Sequence, residues 1–217
     1  MEDENVRALQ PSQRRRILVV LGLNLALIAG LLAAGLLAHS VSVLAAAGDT
    51  VADCFALVLG LIAIGLRDRN PDDPSAQRPI AMAALVNATL LLAVTVTVTI
   101  EAISRLSTGS PPVEGLPMVI VSVVTMLVML AGAVVLGRSA AEEDLHMRSV
   151  LIDALADAAA AAAIAVAGVI ILITRGVYWL DPVLALGVSA LIAVAAIQLF
   201  LKASAALRGD DVDFDDD

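Results

Sequence analysis

Apolar residues in this chain fall into six long, nearly unbroken runs rather than the periodic stripes of surface helices. The runs cover roughly 17–38, 41–66, 79–106, 117–137, 149–174 and 182–206. Each is long enough to cross a hydrocarbon core ~30 Å thick at ~1.5 Å of rise per helical residue. A single segment in lipid can satisfy its own backbone only as a helix. Thr95-Val96-Thr97-Val98-Thr99 alternates like a strand, but it lies inside the third run, and the same constraint predicts helix there. The pattern therefore predicts an all-α integral membrane protein, a six-transmembrane-helix bundle. Only His39 and Ser40 separate the first two runs, so these helices should be antiparallel neighbours.

Charge placement sets the expected orientation. With the N-terminus inside, the cytoplasmic segments carry Arg7, Arg14, Arg15, Arg16, Arg67, Arg69, Arg78, Arg138, Arg148, Lys202 and Arg208, against Arg105 and Arg175 outside. This imbalance predicts cytoplasmic N- and C-termini. The expected organisation is a cytoplasmic tail over 1–16, the six-helix domain over 17–208 and an acidic cytoplasmic tail over 209–217. The first run follows three arginines and is too long for a cleaved signal, so it should remain as the first span in a cell membrane (inner or plasma membrane). Tyr178 and Trp179 would anchor the outer interface, and Asp181-Pro182 reads as the N-cap and first turn of span six.

Composition narrows the function classes. The chain has 217 residues, 60% of them hydrophobic, which leaves little for a separate soluble domain. Its net charge of −9 is partly local, because the last eight residues, DDVDFDDD, hold six of the 22 acids. That end reads as a solvated tail, or as a cation-concentrating tether beside Glu142, Glu143 and Asp144. No basic, aromatic surface points to nucleic acid. Cys54 is the only cysteine, which excludes an internal disulfide and a thiolate cluster.

The chemistry lies in four aspartates inside the apolar runs. Asp49 and Asp53 sit in the second run, Asp153 and Asp157 in the fifth. Each i, i+4 pair shares one helix face, ~6 Å apart along the axis. A carboxylate in hydrocarbon costs a few kcal/mol or more and persists with a partner or a task. The two runs cross in opposite directions, so both pairs can reach similar depth. Ser42 extends the first stripe. Glu142 and His146 carry the second toward the cytoplasmic loop, where they are candidate ligands at the entrance, although His146 also reads as a plain interfacial histidine. His39, ~15 Å from Asp49, is too distant to be a primary ligand. Asn87 and Glu101 in the third run should hydrogen-bond between helices.

Four carboxylates suit a hard or borderline divalent cation. Zinc sites usually recruit histidine or cysteine, so the oxygen-only set favours manganese(II), with iron(II) and zinc(II) behind. Two carboxylates ~5 Å apart at an effective dielectric of ~20 repel by roughly 3 kcal/mol. An empty site should therefore keep one or two of its acids protonated, and a metal would displace those protons. Metal–proton exchange needs no separate proton-binding residue. A purely structural role for the acids is disfavoured by their arrangement in two matched pairs.

These residues resemble the cation diffusion facilitator (cation efflux) family. SVSVLAAAGDTVADCFAL is similar to that family's second helix, whose metal-binding DxxxD or HxxxD falls on Asp49 and Asp53. LHMRSVLIDALADAAAAAAIAVAGVII is similar to its fifth helix, whose corresponding pair falls on Asp153 and Asp157. AALVNATLLL, EAISRL, PPVEGL and YWLDP follow at the expected places. The resemblance implies six helices, a homodimer, alternating access and efflux of divalent metal ions such as manganese, zinc or iron against protons, with the metal as transported substrate and no permanently bound cofactor. Aspartate at all four positions is associated in the family with manganese.

The sequence departs from the family in two places. Where the family has HPFGxxRxE, residues 72–80 retain only Arg78. Where most members continue into a cytoplasmic C-terminal domain, this sequence runs to DDVDFDDD, so the expectation is a member lacking that domain and a homodimer formed through membrane helices. Two other functions compete. One is a non-transporting membrane metal sensor or scaffold. The other is an intramembrane aspartate-dependent enzyme, but Ala46-Ala47-Gly48-Asp49 lacks the first glycine of GxGD and no DGxxAR signature is present. The expectation is a transporter, not an enzyme.

Overall fold

The structure, a computed structural model, describes residues 11–67, 78–140 and 145–208; side chains at 11–21, 23, 57, 60, 61, 63–67, 132–140 and 145–154 lie outside that description. It is all-helical over the described residues: α1 (Pro11–Ala38), α2 (Val41–Arg67), α3 (Arg78–Thr108), α4 (Gly115–Ala140), α5 (Leu145–Thr174) and α6 (Leu180–Arg208). Each predicted run is found inside one helix. Most helices continue past the apolar run, because hydropathy marks what lipid tolerates whereas backbone hydrogen bonding continues into the polar flanks. Among the described residues, Arg78–Thr108, Leu155–Thr174 and Leu180–Arg208 are long and apolar enough to cross a membrane, and Asn24–Ala38 and Gly115–Ala131 are shorter apolar stretches.

The alternating threonines of the third run are helical, as expected. Thr97 donates its hydroxyl to the Ala93 carbonyl at 2.8 Å, and Thr89 does the same to Leu85 at 2.8 Å, which hides the hydroxyls against the helix. The two-residue link between α1 and α2 is a Schellman turn. Ser40 N–H reaches Gly35 O at 3.0 Å and His39 N–H reaches Leu36 O at 3.3 Å. His39 occupies the left-handed position with φ 54°, where glycine is usual.

Two groups of helices share α2. Leu27 and Leu31 (α1), Val43 and Ala47 (α2), Met118 (α4), and Ile164 and Ile171 (α5) belong to one buried cluster. Val41 and Ala45 join Val98, Ala102 and Ala185 in a second, and Ala52 joins Leu91 and Ala196 in a third. Helices α4 and α5 pair most extensively, followed by α3 and α6, whereas α2 and α5 meet only briefly. Close approach depends on absent side chains. A Cβ on Gly48 would stand 2.5 Å from Val94 Cγ1, and one on Gly115 would stand 2.5 Å from the Gly168 carbonyl oxygen. Ala158 and Ala161 of the six-alanine run are buried, while Ala159 and Ala163 face outward. Large apolar side chains ring the outside, with Ile173 76% and Leu191 69% exposed, a surface suited to lipid.

Candidate metal site

The orientation of α2 follows from its neighbours. On a helical wheel, with ~100° per residue, Val51, Phe55, Val58 and Ile62 form one stripe, and all four are exposed. Asp49, Asp53 and Ser42 fall on the opposite arc, between the α3/α6-packed face and the α1/α4/α5-packed face. The acids therefore point away from lipid. Asp49 is half-buried and Asp53 exposed.

Asp157 of α5 comes to the same place. The charges of Asp53 and of Asp157 both act on Asp49, so Asp49 feels one acid of its own helix face and one from α5. The fourth, Asp153, lies on α5 one turn before Asp157, but its side chain is outside the described residues, as is that of His146. Glu142 falls wholly outside them. Among the described residues no three histidine, cysteine or acidic side chains stand close enough to hold one ion together. Cys54 is half-buried beside Asp53.

The start of α2 is held from α6, which corrects the expected role of Asp181. Helix α6 already begins at Leu180, and the Asp181 carboxylate is directed across to α2. Its Oδ2 accepts Val41 N–H at 2.7 Å, and its Oδ1 accepts Ser42 N–H at 3.2 Å, Ser40 Oγ at 2.7 Å and Ser42 Oγ at 2.5 Å. Ser40 Oγ in turn accepts Val43 N–H at 3.1 Å. The first three amides of α2, which have no intrahelical acceptor, are thus all satisfied. The negative charge also lies at the positive end of the α2 dipole. Asp181, Ser40 and Ser42 are completely buried. Sequence proximity favoured a local cap. The folded chain offers a second helix start with three open amides, and that is the better acceptor environment.

Two other expectations are corrected. Glu101 does not bridge helices: it is exposed and pairs with Arg105 of its own helix at 2.8 Å, the geometry an i, i+4 pair favours. The long-range bond comes instead from Arg105 Nη1 to the carbonyl of His39 in the link between α1 and α2. Asn87 is buried, but its Oδ1 has no hydrogen-bond partner.

The sequence reading missed Thr95 and Ser189. Both are buried, and neither hydroxyl has a hydrogen-bond partner. Thr95 follows Val94, against which Gly48 packs. Ser189 lies two turns below Asp181 on a helix running parallel to α2, near the depth of Asp49. Single hydroxyls in apolar runs carry no sequence signal, since most bond to their own helix.

Comparison with known proteins finds a matching family. Residues 17–207 match the family model for the cation efflux transmembrane domain. Similar curated proteins are zinc transporters named ZitB. That of Pectobacterium atrosepticum is 31% identical over 163 residues, 73% of this chain and 50% of the relative. That of Escherichia coli is 30% identical over 193 residues, 88% of this chain and 61% of the relative. That of Yersinia pestis is 28% identical over the same shares. The aligned part of the chain thus spans between half and about three-fifths of these relatives' length.

Proposed function

The chain belongs to the cation efflux family, and on that premise we propose that it is a divalent metal ion efflux transporter working by metal–proton exchange. The observation that supports it is that the charges of Asp53, on the same helix, and of Asp157, on α5, both act on Asp49. Like charges gathered on the inward arc of α2 repel one another, and a bound divalent ion removes that repulsion. Asp153, one turn from Asp157, completes the proposed ligand set. When the site empties, protons take the metal's place, so an outbound ion is exchanged for inbound protons.

In this reading all six helices cross the bilayer of a cell membrane with both termini cytoplasmic, and two copies pair through membrane helices. His146 and Glu142 stand at the cytoplasmic entrance as collecting ligands. Alternating access opens the carboxylates to each side in turn. The oxygen donor set favours manganese(II), and the name of the similar relatives makes zinc its rival.

The test is transport by the purified chain in liposomes carrying a pH gradient. Manganese should move against the proton flux, and zinc should compete with lower apparent affinity. Stronger competition by zinc would reverse the order of the metals. Flux of neither ion, from protein shown to be folded and inserted, would sink the transport reading.

A further inference from the structure

We propose that Asp181 is a positioning residue for the metal site: by holding the first turn of α2 onto α6, it sets the depth and rotation at which Asp49 and Asp53 are presented. The inference rests on the transport reading above and adds a residue to which that reading assigns no part. A cap needs one acceptor for one or two amides. Asp181 accepts four bonds, from Val41 N–H, Ser42 N–H, Ser40 Oγ and Ser42 Oγ, and no solvent reaches it. Two of these donors are backbone amides, so the carboxylate grips the helix itself and not only its side chains. Charge-assisted bonds of this kind are short and directional.

The link is direct along α2. Ser42 stands two helical turns, ~10 Å, above Asp49 on the same stripe, and a helix transmits a rotation of its first turn to the next two. Beyond the clamp, the contacts α2 makes with α3 and α6 come mainly from small side chains, Ala45, Ala52 and Gly48. Smooth surfaces of this kind allow sliding and rotation. The polar grip at the outer end then supplies the register that alanine and glycine leave open.

Asp181→Asn and Ser42→Ala in the full chain, reconstituted in liposomes, test this. Asparagine replaces one acceptor oxygen with a donor that faces donors; Ser42→Ala removes one of the four bonds to the carboxylate, together with the Ser40 Oγ–Ser42 Oγ bond, and keeps the carboxylate. Two readouts are taken. The first is the ratio of apparent KM values for manganese and zinc, which loss of folded protein would leave unchanged because it lowers the maximal flux and not KM. The second is the alkylation rate of the native Cys54, one residue beyond Asp53, which reports the rotation of α2 even without transport. Asp181→Asn should change the KM ratio by about tenfold, of the order of one charge-assisted bond, and shift the Cys54 rate; Ser42→Ala should do both in the same direction and to a smaller extent. Folded variants with the native ratio and the native Cys54 rate would overturn the proposal and leave Asp181 a simple structural cap. If Asp181→Asn does not fold, Ser42→Ala decides by the same measures. If the unaltered chain carries neither metal, the transport reading fails, and the Cys54 rates alone decide whether Asp181 positions α2.

Discussion

Asp181 and Asp49 are the same residue type in the same kind of apolar helix, and both sit inside the bundle, yet their surroundings are opposite. Every neighbour Asp181 engages is a donor, so its charge is spread over two amides and two hydroxyls at the start of α2. The charges that act on Asp49 belong to two more carboxylates. One environment is complete with the anion present. The other improves when a cation or a proton arrives. The difference separates a carboxylate that holds structure from one suited to hold cargo, and burial alone would not have told them apart.

The largest expected effect tests the cargo side. Asp49→Ala and Asp157→Ala should each lower metal flux in liposomes by about a hundredfold or more, since each removes a charged ligand from the proposed site. Near-native flux from either variant would remove that residue from the site. The contrast itself is tested by stability. Asp181→Asn should destabilise the protein by ~3 kcal/mol, the cost of mismatching a buried, fully bonded carboxylate, read as a lowered unfolding midpoint in detergent. Asp49→Asn, by relieving crowded charge, should leave that midpoint unchanged or raise it. Equal losses in the two variants would erase the distinction.

A smaller effect concerns how α2 is seated. Gly48→Ala pushes a methyl group into Val94 and should cost ~1–3 kcal/mol by overpacking, with most of the loss restored by Val94→Ala in the same chain. No restoration would mean that the strain lies elsewhere. The smallest is Glu101→Gln. Breaking an exposed pair within one helix should change stability by less than ~0.5 kcal/mol, in contrast to Asp181, although both are acids near the same end of the bundle.

Much of this was legible before folding. Six apolar runs predicted six helices, because lipid leaves a single segment no other way to satisfy its backbone. The i, i+4 spacing put Asp49 and Asp53 on one face, because helix geometry is local. The family resemblance was legible for the same reason: order and spacing survive where identity does not. Asp181 was not. Its sequence neighbours offered it a helix start, and only the parallel placement of α2 and α6 revealed a better one 140 residues away. Glu101 failed the other way, since its partner was a local one, four residues along.

What the chain determined by itself is thus everything that depends on periodicity and on solvent: which segments are helical, which are apolar, and which acids share a face. Tertiary structure decided which donors or charges each acid meets. That choice depends on the side-by-side register of helices far apart in sequence, and smooth alanine and glycine surfaces do not encode it locally. At the start of α2 the deciding contribution is a network of buried polar bonds, whose strong directionality selects one register from the several that apolar packing would accept.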